Sequence, residues 1–197
     1  NIEFYVDGEQ VAKASYEAGR KDAIVLSNLA KFVPAGKHLL EVRYSGCKNP
    51  LPYSLAVNYH TTLPVSNKDC KLNIKSKLAV NNAKTGETVR YTVTVANTTN
   101  DGLPSTMAII AIPAGCTFQP WQLKEMTDKK VMDYYEIRGN KLMAYYRQMK
   151  PDEVKTLNFD LKAEVPGAYE TPASTAYLYY TNELKDWCSA EKLTIIK

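Results

Sequence analysis

One stretch of strict two-residue alternation constrains the fold more than any other feature of the chain. Apolar or aromatic side chains occupy every second position, at Val89, Tyr91, Val93 and Val95, with arginine or threonine between them. Successive side chains of a strand point to opposite faces of a sheet, whereas a helix would need a period of 3.6 residues. The stretch therefore predicts an antiparallel strand with one face in a core and the other in water.

Shorter runs of β-branched and aromatic residues, bounded by turn signals, recur along the whole chain. Asp7-Gly8 and Gly139-Asn140 each suit a two-residue hairpin turn. Further strands are predicted at residues 4–6, 11–16, 23–26, 39–44, 53–59, 70–75, 107–112, 134–137, 142–146, 155–163 and 174–180. Many short strands separated by turns are typical of all-β sandwiches.

One segment departs from this pattern. Residues 120–129 are rich in helix formers, and Pro120 is tolerated at a first helical position. We expect a short helix there, with Trp121 and Met126 packing onto the sandwich. The fold class predicted from the sequence is all-β, with two antiparallel β-sandwich domains, the second carrying one short helix. The polar segment 61–69, which contains Pro64, divides the chain into predicted domains at residues 1–65 and 66–197.

Composition excludes several classes of function. The net charge is only +4 and lysines are scattered singly, so nothing indicates a nucleic-acid or anionic-lipid partner. No apolar run approaches the roughly 20 residues that a membrane helix needs, so membrane insertion is not expected. The chain opens at Asn1 in strand pattern and without methionine, and we expect a fragment of a longer protein.

Candidate catalytic and metal-binding residues are few. The four cysteines are widely and irregularly spaced, which favours buried or incidental thiols, although two disulfides could form. A nucleophile needs a base within hydrogen-bond reach, and His38 and His60 are the only histidines, with Cys47 in the same region. Structural roles explain these residues better than catalysis, so we expect no enzyme, no metal and no cofactor.

Tyrosine is abundant, with 14 residues, and it clusters at 134–135, 145–146 and 177–180. Tyrosine offers rigid amphipathic area for a protein or sugar partner. Adjacent tyrosines on a strand alternate between faces, however, which favours core packing with a half-exposed outer surface. The candidate interaction surface comprises Trp121, Lys124, Tyr145, Tyr177 and Tyr179. Asn97-Thr98-Thr99 is a formal glycosylation sequon in a predicted loop, relevant to a eukaryotic secreted protein.

Three segments carry a family resemblance, namely Gly86 to Asn97, Tyr134 to Asn140 and Ala173 to Trp187. Together they resemble the C-terminal part of the alpha-2-macroglobulin family, the thioester protease traps that include complement components and bacterial relatives. Residues from about Cys70 onward resemble the terminal macroglobulin-like, or receptor-binding, domain. Residues 1–65 resemble the half of the CUB-like β-domain that follows the thioester domain. The resemblance thus covers the whole chain through strands and turns rather than reactive residues.

In the family a protease cleaves a bait region, and an unmasked thioester in a Cys-Gly-Glu-Gln motif acylates the attacker. Asp7-Gly8-Glu9-Gln10 echoes that motif, but Asp7 replaces the cysteine and the segment is a predicted hairpin turn, so we interpret it as coincidence. Vertebrate relatives carry two receptor-contacting lysines about one helical turn apart. Here Lys124 is followed four residues later by Asp128, which departs from that pattern.

The resemblance implies a non-catalytic C-terminal fragment of an alpha-2-macroglobulin-like endopeptidase inhibitor. The lack of obvious disulfide staples and of the lysine pair favours a bacterial source. The fragment's expected partners are the thioester domain of the same parent chain, which it tethers and shields, and target proteases through the full-length protein. An extracytoplasmic location is expected, in the periplasm or cell envelope if bacterial and secreted if eukaryotic. The alternative function is a cell-surface adhesin or carbohydrate-binding module that uses the tyrosine clusters. An enzyme using His60 or Cys47 ranks third.

Overall fold

A computed structural model describes residues 1–197, which form two compact units, Asn1–Asn58 and Tyr59–Lys197. The all-β architecture is confirmed, because strands dominate both units and the single α-helix is short. The units divide shortly before the predicted boundary at residue 65. The assignment of residues 1–65 to half of a CUB-like domain stays a prediction.

The first unit holds one antiparallel sheet with the strand order β2-β1-β3. Its elements are β1 (Ile2–Val6), β2 (Glu9–Ala14), a 3-10 turn (Leu29–Phe32) and β3 (Leu40–Tyr44). Asp7 and Gly8 have φ values of 51° and 88°, as a type I′ turn requires, so the first predicted hairpin is confirmed. Phe4 and Val6 are the only buried hydrophobic residues of this unit.

Two strands predicted in the first unit are wrong. Residues 23–26 and 53–59 have no strand assignment in the structure. A strand exists only when a neighbour accepts its backbone hydrogen bonds, and alternation alone does not supply that neighbour. In the second segment every apolar or aromatic side chain of the alternating set is exposed, namely Tyr53, Leu55, Val57 and Tyr59.

The second unit contains twelve strands in three sheets. The strands are β4 (Leu72–Leu78), β5 (Asn82–Lys84), β6 (Thr88–Asn97), β7 (Leu103–Ala111), β8 (Cys116–Thr117), β9 (Tyr134–Arg138), β10 (Lys141–Met149), β11 (Val154–Ala163), β12 (Gly167–Glu170), β13 (Ser174–Leu178), β14 (Lys185–Cys188) and β15 (Lys192–Ile196). A five-stranded sheet has the order β14-β13-β7-β10-β9, and a four-stranded sheet has the order β4-β6-β11-β8. A smaller sheet, β12-β15-β5, includes the only parallel pair, β15 with β5.

The main core lies between the five-stranded and four-stranded sheets. The inward residues of β6 are the alternating set that the sequence predicted, and all four are buried. Ile110 on β7 and Leu142 on β10 belong to the same buried cluster from the opposite sheet. Interdigitated inner faces of this kind define a β-sandwich.

The predicted helix is confirmed as α1 (Pro120–Asp128), with proline in its first turn. Leu123 is fully buried and Met126 packs partly against the core. The expected packing of Trp121 is wrong, because its side chain is 62% exposed. Gln122 is the buried residue at this position instead, and its side chain links α1 to β11 by two hydrogen bonds. Gln122 Oε1 accepts the Asp160 N–H at 2.8 Å, and its Nε2 donates to Asp160 Oδ2 at 3.0 Å.

The two edges of the five-stranded sheet differ. At β14 the segment before β4 covers the edge, because the Asn67 N–H donates to Lys185 O at 2.8 Å and the Trp187 N–H donates to Ser66 Oγ at 2.9 Å. At the opposite edge β9 pairs only with β10. Both strands contribute side chains to the outer face of this sheet.

Candidate interaction face

One row of side chains crosses all five strands on the outer face of the five-stranded sheet. Met107 of β7 lies opposite both Tyr145 of β10 and Tyr177 of β13. The row continues to Tyr134 of β9 on one side and to Lys185 of β14 on the other. Directly opposed residues of antiparallel strands project from the same face. These five side chains therefore share one surface.

A second row runs beside the first. Ile109 of β7 lies opposite Met143 of β10 and Thr175 of β13. Glu136 and Trp187 end this row on β9 and β14. The outward face of an antiparallel sheet normally carries polar residues. Here the middle of that face is mostly apolar.

These outward side chains form a hydrophobic cluster of their own. Met107, Met143 and Tyr177 are buried, and Ile109 and Tyr145 pack against them. The cluster is separate from the main core on the other side of the sheet. The side chains are therefore shielded from water chiefly by one another, on the outside of the sandwich.

The polar atoms of the cluster have partners. The Tyr177 hydroxyl donates to Met107 Sδ at 3.2 Å, and the Tyr145 hydroxyl donates to Glu136 Oε1 at 3.2 Å. Lys185 Nζ lies 4.9 Å from the centre of the Tyr177 ring, within cation–π range. Burial raises the pKa of both Tyr145 and Tyr177, so both hydroxyls are neutral at physiological pH.

Two tyrosines extend this surface into solvent. Tyr134 is 59% exposed, and its ring centre lies 5.7 Å from that of Tyr145. Tyr179 is 53% exposed and lies close enough to Tyr145 and Tyr177 to contribute to the raised pKa of each. We call this surface the aromatic face and define it as Met107, Ile109, Tyr134, Met143, Tyr145, Tyr177 and Tyr179.

The structure separates the five residues of the predicted interaction surface into two groups. Tyr145, Tyr177 and Tyr179 lie together on the aromatic face. Trp121 and Lys124 lie on α1, and Trp121 lines an open groove of about 270 Å³ beside β6 and β11 of the other sheet. Lys124 Nζ lies 2.7 Å from Asp128 Oδ2, so its charge is paired within the helix.

Sequence reasoning missed the methionines and Ile109 of the aromatic face. The continuous apolar run at residues 107–112 did indicate a strand covered on both sides. It could not indicate that β7 lies between β10 and β13, which is what brings the tyrosines of those strands beside Met107. That neighbourhood depends on pairings between residues distant in sequence.

Three of the four thiols are poor nucleophiles at neutral pH. Burial raises the pKa of Cys116 to about 11 and also raises the pKa of Cys70 and Cys188. The ring nitrogens of His38 contact Asp7 and Pro34 rather than a thiol. No group of three or more histidine, cysteine, aspartate or glutamate residues is arranged to hold a metal ion. No helix has the length and apolar character needed to cross a membrane.

The sequon asparagine is buried and structural. Asn97 Nδ2 donates to Asp101 O at 2.7 Å and to Lys150 O at 2.8 Å. Its Oδ1 accepts the Thr99 N–H at 2.9 Å. The Asn97 side chain therefore organises the loop after β6 and does not present a free amide to solvent.

Part of the second unit matches a known protein family. Residues 104–188, which include the aromatic face and α1, match the model of the A-macroglobulin receptor binding domain family. The matched residues all lie in the second unit, which is similar to that receptor-binding domain over this range. The resemblance found in the sequence is thereby confirmed for this part of the chain. No curated protein sequence matches the chain.

Solved structures of bacterial alpha-2-macroglobulins share the fold of about two thirds of this chain. Salmonella alpha-2-macroglobulin reacted with methylamine aligns over 68% of this chain with a TM-score of 0.55 and 18% identity. Native Escherichia coli alpha-2-macroglobulin, spanning domain MG7 to the C-terminus, aligns over 71% with a TM-score of 0.57 and 16% identity. The aligned part covers 10% of the Salmonella chain and 25% of the E. coli chain. This chain thus corresponds to a small part of much longer relatives.

Proposed function

We propose that this chain is a non-catalytic C-terminal part of an alpha-2-macroglobulin-like endopeptidase inhibitor, that is, of a protease trap. The second unit docks through its aromatic face onto the thioester domain of the same parent chain and shields the thioester. The first unit tethers that domain, and target proteases are met by the full-length protein. The observation that carries the proposal is the aromatic face, an apolar outer surface on a domain of this family.

The chemistry of the aromatic face suits a shielding role. A thioester is destroyed when water or an amine attacks its acyl carbon, so an unreacted trap has to keep both away. Tyrosine and methionine are enriched at protein interfaces, where they exclude water from the centre of the contact. Tyr134 and Tyr179 supply exposed rings, and the packed cluster of Met107, Met143 and Tyr177 supplies an apolar centre.

The small sheet of the first unit suits a half-domain that a further segment of the parent chain would complete. Its sheet has three strands and two buried hydrophobic residues, and three strands are close to the minimum that is stable alone. Segment 53–59 alternates as a strand does but has no partner, and its aromatic side chains are exposed. A neighbouring strand supplied by the parent chain would pair with it. A half-domain that tethers the thioester domain would be stabilised by such a strand.

The alternative function, carbohydrate binding through tyrosine, has less support. A sugar stacks on an open ring face, whereas Tyr177 is buried and Tyr145 packs against the same cluster, so only Tyr134 and Tyr179 offer exposed rings on the aromatic face. A protease trap meets its targets outside the cytoplasm. We therefore place the parent in the periplasm or cell envelope of a bacterium, or among secreted proteins if the source is eukaryotic.

The proposal is tested by the rate at which methylamine, a small amine nucleophile, releases the thioester thiol in the full-length parent. Tyr145→Lys and Tyr179→Lys place a charge in the docked surface. Since an interface tyrosine contributes about 2 kcal/mol, we expect release to accelerate more than about tenfold. Thr94→Lys, on the outer face of the other sheet, is the matched control. Equal rates in all variants would overturn docking by the aromatic face, and a parent without a releasable thiol would overturn the trap itself.

A further inference from the structure

His38 joins two separate segments of the first unit. Its Nδ1 lies 2.7 Å from Asp7 Oδ2, in the turn between β1 and β2. Its Nε2 lies 2.8 Å from the carbonyl oxygen of Pro34, four residues earlier in the chain. The side chain is only 15% exposed. The ring thus links the hairpin turn to the segment that leads into β3.

Both partners of the ring are hydrogen-bond acceptors. Asp7 is a carboxylate whose other oxygen, Oδ1, already accepts the Leu39 N–H at 2.8 Å. The Pro34 carbonyl oxygen can only accept. A neutral imidazole carries one N–H, whereas the imidazolium carries two. The two contacts can therefore both be hydrogen bonds only when His38 is protonated.

We propose that His38 is a proton-dependent clasp that holds residues 34–38 against the β1–β2 turn. When the ring loses a proton, one nitrogen presents a lone pair to an oxygen less than 3 Å away, and that contact is lost. Asp7 keeps its backbone links to Leu39, because its N–H donates to Leu39 O at 2.9 Å. Deprotonation therefore releases the 34–38 segment and leaves the β1–β3 pairing in place.

The charged groups around the His38 ring favour its protonated form. Asp7 is the ionisable group that acts on His38, and its hydrogen bond raises the pKa of the ring, with a further contribution from the Pro34 carbonyl. The same pair lowers the pKa of Asp7. Asp7 forms its only ion pair with His38, and no lysine or arginine, including the neighbouring Lys37, pairs with this carboxylate.

The direction of the pH effect follows from the raised pKa. The stabilisation is fully present below the unfolded-state pKa, about 6.5 for histidine. It is lost as the pH rises through the higher pKa of the folded state. The segment 34–38 is thus ordered at a pH below the raised pKa of His38 and becomes mobile as the pH rises through that pKa. This inference stands independently of the proposed docking function.

Nuclear magnetic resonance of the 197-residue chain tests the clasp. The ring resonances of His38 are followed against pH together with hydrogen exchange of the 34–38 amides. We expect a pKa above about 6.5 and a loss of amide protection at the same pH as the ring transition. The proposal would be overturned by a His38 pKa at or below that reference value. It would also be overturned if amide protection of residues 34–38 did not change as the ring titrates.

Asp7→Asn is the decisive variant because asparagine tolerates the left-handed turn position and still accepts the Leu39 N–H. It removes the negative charge, so the His38 pKa and the pH at which the segment is released should both shift downward. An unshifted His38 pKa in this variant would contradict the clasp. His60→Gln identifies the other histidine signal and should leave the His38 transition unchanged.

Discussion

The two sheets of the second unit present opposite chemistry to their surroundings. The outer surface of the four-stranded sheet carries paired polar groups, with Thr92 Oγ1 donating to Asn158 Oδ1 at 2.9 Å and Arg90 bound to Asp160. We call it the polar face and define it as Lys75, Lys77, Arg90, Thr92, Thr94, Thr156, Asn158 and Asp160. The outer surface of the five-stranded sheet carries the aromatic face. Strands on both faces have the same two-residue period, so side-chain chemistry alone distinguishes the polar outer surface from the apolar one.

The two faces should differ most in the stability that is lost when one of their side chains is truncated to alanine. Tyr177→Ala removes a ring buried against Met107, and we expect a loss of about 2 kcal/mol in the free energy of unfolding. Thr92→Ala on the polar face should change that free energy by less than about 0.5 kcal/mol. Urea unfolding of the isolated chain measures both. Similar losses in the two variants would mean that the aromatic face is not a packed cluster.

A smaller change in the free energy of unfolding is expected where α1 contacts Asp160 of the polar face. Gln122→Glu replaces an amide that donates to Asp160 with a second carboxylate, so we expect a loss of about 1 kcal/mol at pH 7. Repulsion by the Asp160 carboxylate raises the folded-state pKa of the introduced glutamate. The loss is therefore present above about pH 4.3 and disappears as the pH falls.

Gln122→Met is the control for this effect. It removes both hydrogen bonds without adding charge, so its loss of stability should not depend on pH over the same range. If Gln122→Glu is equally unstable at acid and neutral pH, the contact between Gln122 and Asp160 is not as the structure has it.

The smallest effect concerns the ion pair on the polar face. Arg90 and Asp160 side chains are 53% and 31% exposed, and exposed pairs contribute less than about 1 kcal/mol. Arg90→Gln should therefore change the unfolding free energy only slightly, and added salt should reduce the difference further. A large, salt-independent loss would show that the polar face also packs as an interface does.

Local patterns in the sequence predicted much of the fold but little of the site. The Asp7-Gly8 and Gly139-Asn140 hairpins, the strand through Tyr91 and the helix after Pro120 depend on neighbours in sequence, and the structure contains all of them. Segment 53–59 has an equally clear alternation but no strand, because pairing also needs a partner. The aromatic face needs the sheet order, which the sequence alone does not indicate.

Photocrosslinking in the full-length parent tests the central claim most directly. A benzophenone side chain at position 179, on the aromatic face, should crosslink to the thioester domain in the unreacted protein and lose that crosslink after cleavage by a protease. The same group at position 94, on the polar face, should give no such crosslink in either state. Crosslinking to the thioester domain from position 94 and not from 179 would contradict the account.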